Sequence, residues 1–157
     1  MRLMVINGPN LNKLGKRDPD QYGVKTYMDL IAMVEEKSTE KVGISCFQSN
    51  CEGKLIDYIQ LAGEEFNGIV INPGAYSHYS YAIMDALADV DIPVVEVHIS
   101  DVHSREDFRQ NLITGRSCDK IIAGKGFEGY IEAIDLSLIH ISEPTRPRLV
   151  SRMPSSA

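Results

Sequence analysis

A chain of 157 residues suits one domain, and 43% hydrophobic with 24% charged residues is the balance of a globular protein with a proper core. No stretch approaches the ~20 apolar residues of a membrane-spanning helix, and the opening MRLMVING is too short and too soon interrupted for a secretory leader. The net charge of −6 argues against binding a phosphate backbone. The expectation is a cytoplasmic protein with no membrane or nucleic-acid partner, in which an anionic small substrate would need local positive charge. Cys46, Cys51 and Cys118 form no CxxC pair and leave an odd number, so no disulfide framework is implied.

In chain order, Leu3 to Ile6 reads as a buried strand ending in Asn-Gly-Pro. A helix follows with Tyr27, Leu30, Ile31 and Val34 on one face, opened by Thr26 with Asp29 three residues later as a capping pair. Val42 to Phe47 is the second strand, and Ser49 with Glu52 opens a helix carrying Leu55, Ile56, Ile59 and Ala62. Gly68 to Ile71 is the third strand, after which Ser77 or a neighbour starts a helix with Ala82, Ile83, Ala86 and Leu87 inward. Ile92 to Val97 is the fourth, with Pro93 near its start, where a missing donor is tolerated. Ser104 and Asp107 look like a further helix start, Lys120 to Ala123 is the fifth strand, and Phe127 begins the last helix. Five buried strands separated by helices predict an α/β fold, a three-layer flavodoxin-like sandwich around a five-stranded parallel sheet.

Ligands of such sheets bind beyond the carboxyl ends of the strands. There stand Asn7, Asn10 and Asn12 after the first strand, Gln48, Ser49 and Asn50 after the second, Asn72 and His78 after the third, and Glu96, His98 and Ser100 at the fourth. Glu96 and His98 are two apart, so they share a strand face. A carboxylate beside an imidazole makes a usable acid or base, and equally a satisfied pair closing a strand. His98, Asp101 and His103 match no zinc-site spacing, so no metal is expected. GKGFEG at 124–129 fits GxGxxG, but at the last βα unit, where a tight turn with close helix packing explains it better than a nucleotide. In the polar loop KRDPDQYG at 16–23, Arg17 and Tyr22 sit five apart. A tyrosine acting as a base near neutrality needs roughly 4 kcal/mol of phenolate stabilisation, which Arg17, with Arg105 or Arg109, could supply.

INGPNLNKLGKRDPDQYG, FQSNCEG, NPGAYSHYSYAIMDAL, VEVHISDVHSREDFR and GKGFEGY together resemble, in order and with spacing kept, the signature blocks of type II dehydroquinases from Met1 to about Asp135. The resemblance implies dehydration of 3-dehydroquinate to 3-dehydroshikimate without a cofactor, in the shikimate or quinate pathway. In it Tyr22 takes the proton beside the carbonyl and Arg17 aids it. Asn10 positions a water on the enolate oxygen, and His98, oriented by Glu96, protonates the departing hydroxyl. Asn72, His78 and Arg109 match substrate-hydroxyl contacts, the backbone of Ile99 and Ser100 a carboxylate site, and Arg105 an active-site arginine. Asp85 matches a residue contributed across a trimer interface, which implies a dodecamer of trimers, and the loop of Arg17 and Tyr22 a lid. Cys51, Ser77, Met84 and Asp101 depart from the family's usual histidine, threonine, arginine and asparagine.

Leu136 to Ala157 departs more sharply, with three prolines and a net charge of +2 against −8 for residues 1–135. It does not resemble the family's last helix, and Leu136 to Arg146 back-translates into a sequencing adaptor. We therefore expect a catalytic domain over 1–135 and a foreign tail over 136–157, partly disordered after Pro144, the alternative being a genuine but divergent C-terminus. The competing readings are a noncatalytic flavodoxin-like binding module and a nucleotide-dependent oxidoreductase resting on the glycine motif alone.

Overall fold

A computed structural model of the chain describes residues 1–143. Five parallel strands, β1 (Arg2–Asn7), β2 (Gly43–Gln48), β3 (Gly68–Asn72), β4 (Val94–His98) and β5 (Lys120–Ala123), form one sheet in the order β2-β1-β3-β4-β5. This is the order of flavodoxin-like sandwiches, as the alternation of strands and helices predicts.

Period-two alternation divides the core between the two sheet faces. Leu3 and Val5 of β1, Val70 of β3 and Val95 and Val97 of β4 pack with α2 (Tyr27–Glu35) and α5 (Glu128–Ser142). Met4, Ile6, Ile69, Ile71 and Val94 pack with α3 (Glu52–Glu65) and α4 (Tyr81–Asp89). Helix α2 opens with the expected capping box, Thr26 Oγ1 accepting from Asp29 N and Asp29 Oδ2 from Thr26 N.

The structure corrects several boundaries. Strand β4 begins at Val94 because Pro93 lacks a donor and contributes only its carbonyl, which accepts from Ile69 N at 2.9 Å. Ser77 lies inside a 3₁₀ turn, Gly74–His78, and it is Ser80 that caps α4 by accepting from Ile83 N. Ala82, expected inward, is exposed. Cys51 rather than Ser49 stands at the N-cap of α3, while Ser49 Oγ accepts from Cys51 N. Residues 101–118 hold three 3₁₀ turns in place of an α-helix. Between Val102 and Leu112 the one apolar residue is Phe108, which is exposed, so the segment has no apolar stripe to bury. The polar loop at 16–23 contains one helical turn, α1 (Pro19–Tyr22), with Pro19 at its start and Asp18 capping it.

Helix α5 continues through Leu136–Ser142: Ser137 is buried, and Leu136, Leu138 and Ile141 pack against the core. The expected disorder after Pro144 lies outside the described residues.

Candidate active site

The ends of β1 and β3 meet closely. Gly8 N donates to Asn72 O at 2.8 Å, and a Cβ on Gly8 would stand 2.5 Å from Pro73 O, so only glycine lets the two loops touch. Beside this contact, beyond the C-terminal edge of the sheet, lies a cavity of about 120 Å³. Asn10 lines it from the β1 loop, Arg17 and Tyr22 from the loop and turn of α1, Asn72 and His78 from β3 and the turn after it, and His98, Ile99 and Ser100 from β4. Arg105 and Arg109 come from the 3₁₀ region. Three arginines around one cavity supply the positive charge that the acidic chain otherwise lacks.

Tyr22 is held from two sides. Arg105 Nη1 donates to its hydroxyl oxygen at 2.8 Å, and the Arg17 guanidinium carbon lies 3.8 Å from the ring centroid. Arg105 is thus the direct partner of the phenol oxygen, and Arg17 stacks on the ring.

His98 and Glu96 lie on the α4 side of the sheet, both buried, with His98 Nε2 2.8 Å from Glu96 Oε2. The Ser77 hydroxyl donates to the same oxygen at 3.0 Å, and the Thr114 hydroxyl donates to Oε1. A fully buried carboxylate is costly unless its lone pairs are filled; two hydroxyls and an imidazole fill them here. With Nε2 committed to Glu96, Nδ1 is the His98 nitrogen left for a ligand.

His78 Nδ1 donates to the Asn111 carbonyl at 3.1 Å, which leaves Nε2 as the acceptor of the neutral ring. Burial pushes its pKa below the ordinary value, reinforced by His98 and Arg109 and opposed by the Asn111 carbonyl and Glu96. Arg109 pairs with Glu106, whose carboxyl it holds below the usual range.

Asn10 has φ 69°, the one left-handed backbone outside glycine among the described residues. Its N–H donates to Asn50 Oδ1 at 3.0 Å, and Gln48 Nε2 donates to Gly8 O. The polar group after β2 therefore braces the β1 loop and does not line the cavity. Gly124 and Gly126, at φ 78° and 58°, turn so that their N–H groups donate to the carbonyls of His98, Ser100 and Ile99. This fixes the segment after β4; a Cβ on Gly129 would meet Val97 and Ile122 at ordinary contact distance, so the packing of α5 does not require glycine there, contrary to the close helix packing expected of the motif. His103 belongs to a turn, bonded to Asp101 and Gln110. Asp85 is exposed on α4, away from the cavity of its own chain.

Sequence reasoning missed Thr114, and read Ser77 only as a helix start and a departure. Nothing in the spacing of residues 77, 96 and 114 announces that they converge; a buried glutamate demanding partners was the available signal.

A family model for class II dehydroquinases matches residues 1–138. The chain belongs to the class II dehydroquinase family. It is 53% identical over 136 residues to the 3-dehydroquinate dehydratase of Thermotoga neapolitana, covering 86% of this chain and 92% of that relative. With the 3-dehydroquinate dehydratase of Clostridium perfringens strain 13 it shares 49% identity over 143 residues, 90% of this chain and 98% of the relative. The crystal structure of the type II dehydroquinase from Butyrivibrio crossotus superposes with a TM-score of 0.86 at 51% identity, over 88% of this chain and 97% of the other. Each of these matches spans more than nine-tenths of the relative's own length.

Proposed function

We propose that the chain dehydrates 3-dehydroquinate to 3-dehydroshikimate by stepwise anti elimination. The observation that carries this is the meeting, in one cavity, of a tyrosine held by a guanidinium and a histidine backed by a buried carboxylate. In a member of the class II dehydroquinase family, these are the two proton-handling groups an elimination requires. Tyr22, as the phenolate, removes the proton beside the carbonyl, with Arg105 and Arg17 stabilising the negative charge on its oxygen. The C–H electrons move into the carbonyl to give an enolate, whose oxygen is met by a water positioned by Asn10. The enolate then expels the hydroxyl as water, with His98 giving the proton and Glu96 stabilising the imidazolium. Asn72, His78 and Arg109 contact the substrate hydroxyls, and the backbone at Ile99 and Ser100, with Arg105 nearby, receives the carboxylate.

The same reading has Asp85 complete the site of a neighbouring subunit in a trimer, with trimers assembled into a cytoplasmic dodecamer. It keeps residues 1–135 as the catalytic domain and takes 136–157 as foreign in origin; an uninterrupted native reading frame through this region in the resequenced gene would sink that part.

The test is a chelator-treated assay with 3-dehydroquinate, followed by the ultraviolet absorbance of the conjugated enone. The parent should turn over and Tyr22→Phe should lose roughly 10²–10⁴-fold in kcat, the range for a positioned acid–base group. Equal turnover by both would remove Tyr22 from the base role, and no turnover by the parent would reject the dehydratase.

A further inference from the structure

Beneath the cavity, on the α5 side of the sheet, lies a chain of polar side chains, of which that of Asn72 alone lines the cavity. Asn7 and Asn72 are register partners at the ends of β1 and β3. Tyr130, in the first turn of α5 and fully buried, joins them: its hydroxyl donates to Asn7 Oδ1 at 2.6 Å and accepts from Asn72 Nδ2 at 3.0 Å. Asn72 Oδ1 in turn accepts from Gly74 N at 3.1 Å.

We infer that Tyr130 is a positioning residue for substrate binding, acting through Asn72. A phenol has one proton. Because that proton goes to Asn7, the Tyr130 oxygen can only accept from its other neighbour, so the Asn72 amide must present Nδ2 to it and Oδ1 to Gly74. A flipped amide would set two acceptors against each other at Tyr130 and two donors at Gly74. The chain thus leaves one orientation, in which Asn72 keeps one N–H and one lone pair for a hydroxyl in the cavity. Burial holds the Tyr130 phenol well above its ordinary pKa, so the donor persists across the working pH range. Asn7 Nδ2 is buried with no hydrogen-bond partner among the described residues, so the Tyr130 hydroxyl is the partner that holds the Asn7 amide.

This rests on the dehydratase reading, and a double-mutant cycle separates the two. Tyr130→Phe keeps the ring and removes the hydroxyl; it should raise KM for 3-dehydroquinate about 3- to 10-fold, the worth of one neutral hydrogen bond, with kcat held within about twofold. In an Asn72→Ala background the same change should move KM by less than about twofold, because the route through the amide is gone. If Tyr130→Phe does not fold, Asn7→Ala serves instead: it frees the Tyr130 proton to face Asn72 and should give the same pattern. An unchanged KM in folded Tyr130→Phe, or an effect undiminished without Asn72, overturns the positioning role alone. No turnover by the parent overturns the dehydratase reading and this inference with it.

Discussion

Single residues in this site take their properties from what burial denies them. His78 is kept toward its neutral form chiefly because charging it would cost solvation. Its pKa is lowered on folding, so the unfolded chain binds more protons than the folded one between the folded value and the ordinary 6.5. Its contribution to stability is therefore full above about pH 6.5 and lost as pH falls through the folded value. Urea unfolding through this interval should show stability rising with pH, and His78→Gln should flatten the rise; an unchanged slope would mean that another group titrates there. The carboxylates lowered on folding, Asp29 and Glu106, act well below this window. Cys46 shows the same desolvation without function: burial pushes its thiol up to about 11, which leaves it an inert part of the core.

At the scale of elements, local sequence rules account for most starts and stops. The capping box of α2 was legible from Thr26 and Asp29 because both partners lie within one turn. Thr26→Ala should cost about 1 kcal/mol, read as a lower urea midpoint, with kcat unchanged because Thr26 does not line the cavity. Residues 101–118 were misread as opening a helix for the opposite reason: Ser104 and Asp107 resemble caps, but no apolar face follows to make a helix worth forming. Its turns serve the site instead, bringing Arg105, Arg109, Asn111 and Thr114 to four different partners.

For the whole molecule, α5 links the core to both the cavity floor and the atypical segment. Ser137 is fully buried, with its hydroxyl on Ala133 O, and Ile141 reaches the space beside Gly68. A chain ended at Asp135 should lose roughly 3–5 kcal/mol from the packing of Leu136, Leu138 and Ile141. A chain ended at Glu143 keeps every contact described for α5. Urea midpoints of the two truncations measure the difference; equal midpoints would show that residues 136–142 add nothing to the core.

The alternation of apolar runs was enough to determine five parallel strands and their covering helices, because a buried strand and an amphipathic helix each leave a period in the sequence. It also placed Asn10, Asn72 and His98 at one rim, since strand ends in a parallel sheet share an edge. What the tertiary structure alone decided is which partner each group meets. Arg105 lies 83 residues from the phenol it reaches, Tyr130 lies 123 from Asn7, and Thr114 reaches Glu96 from another strand connection. Such contacts leave no period, because they arise from the crossing of separate elements rather than from the repeat of any one of them.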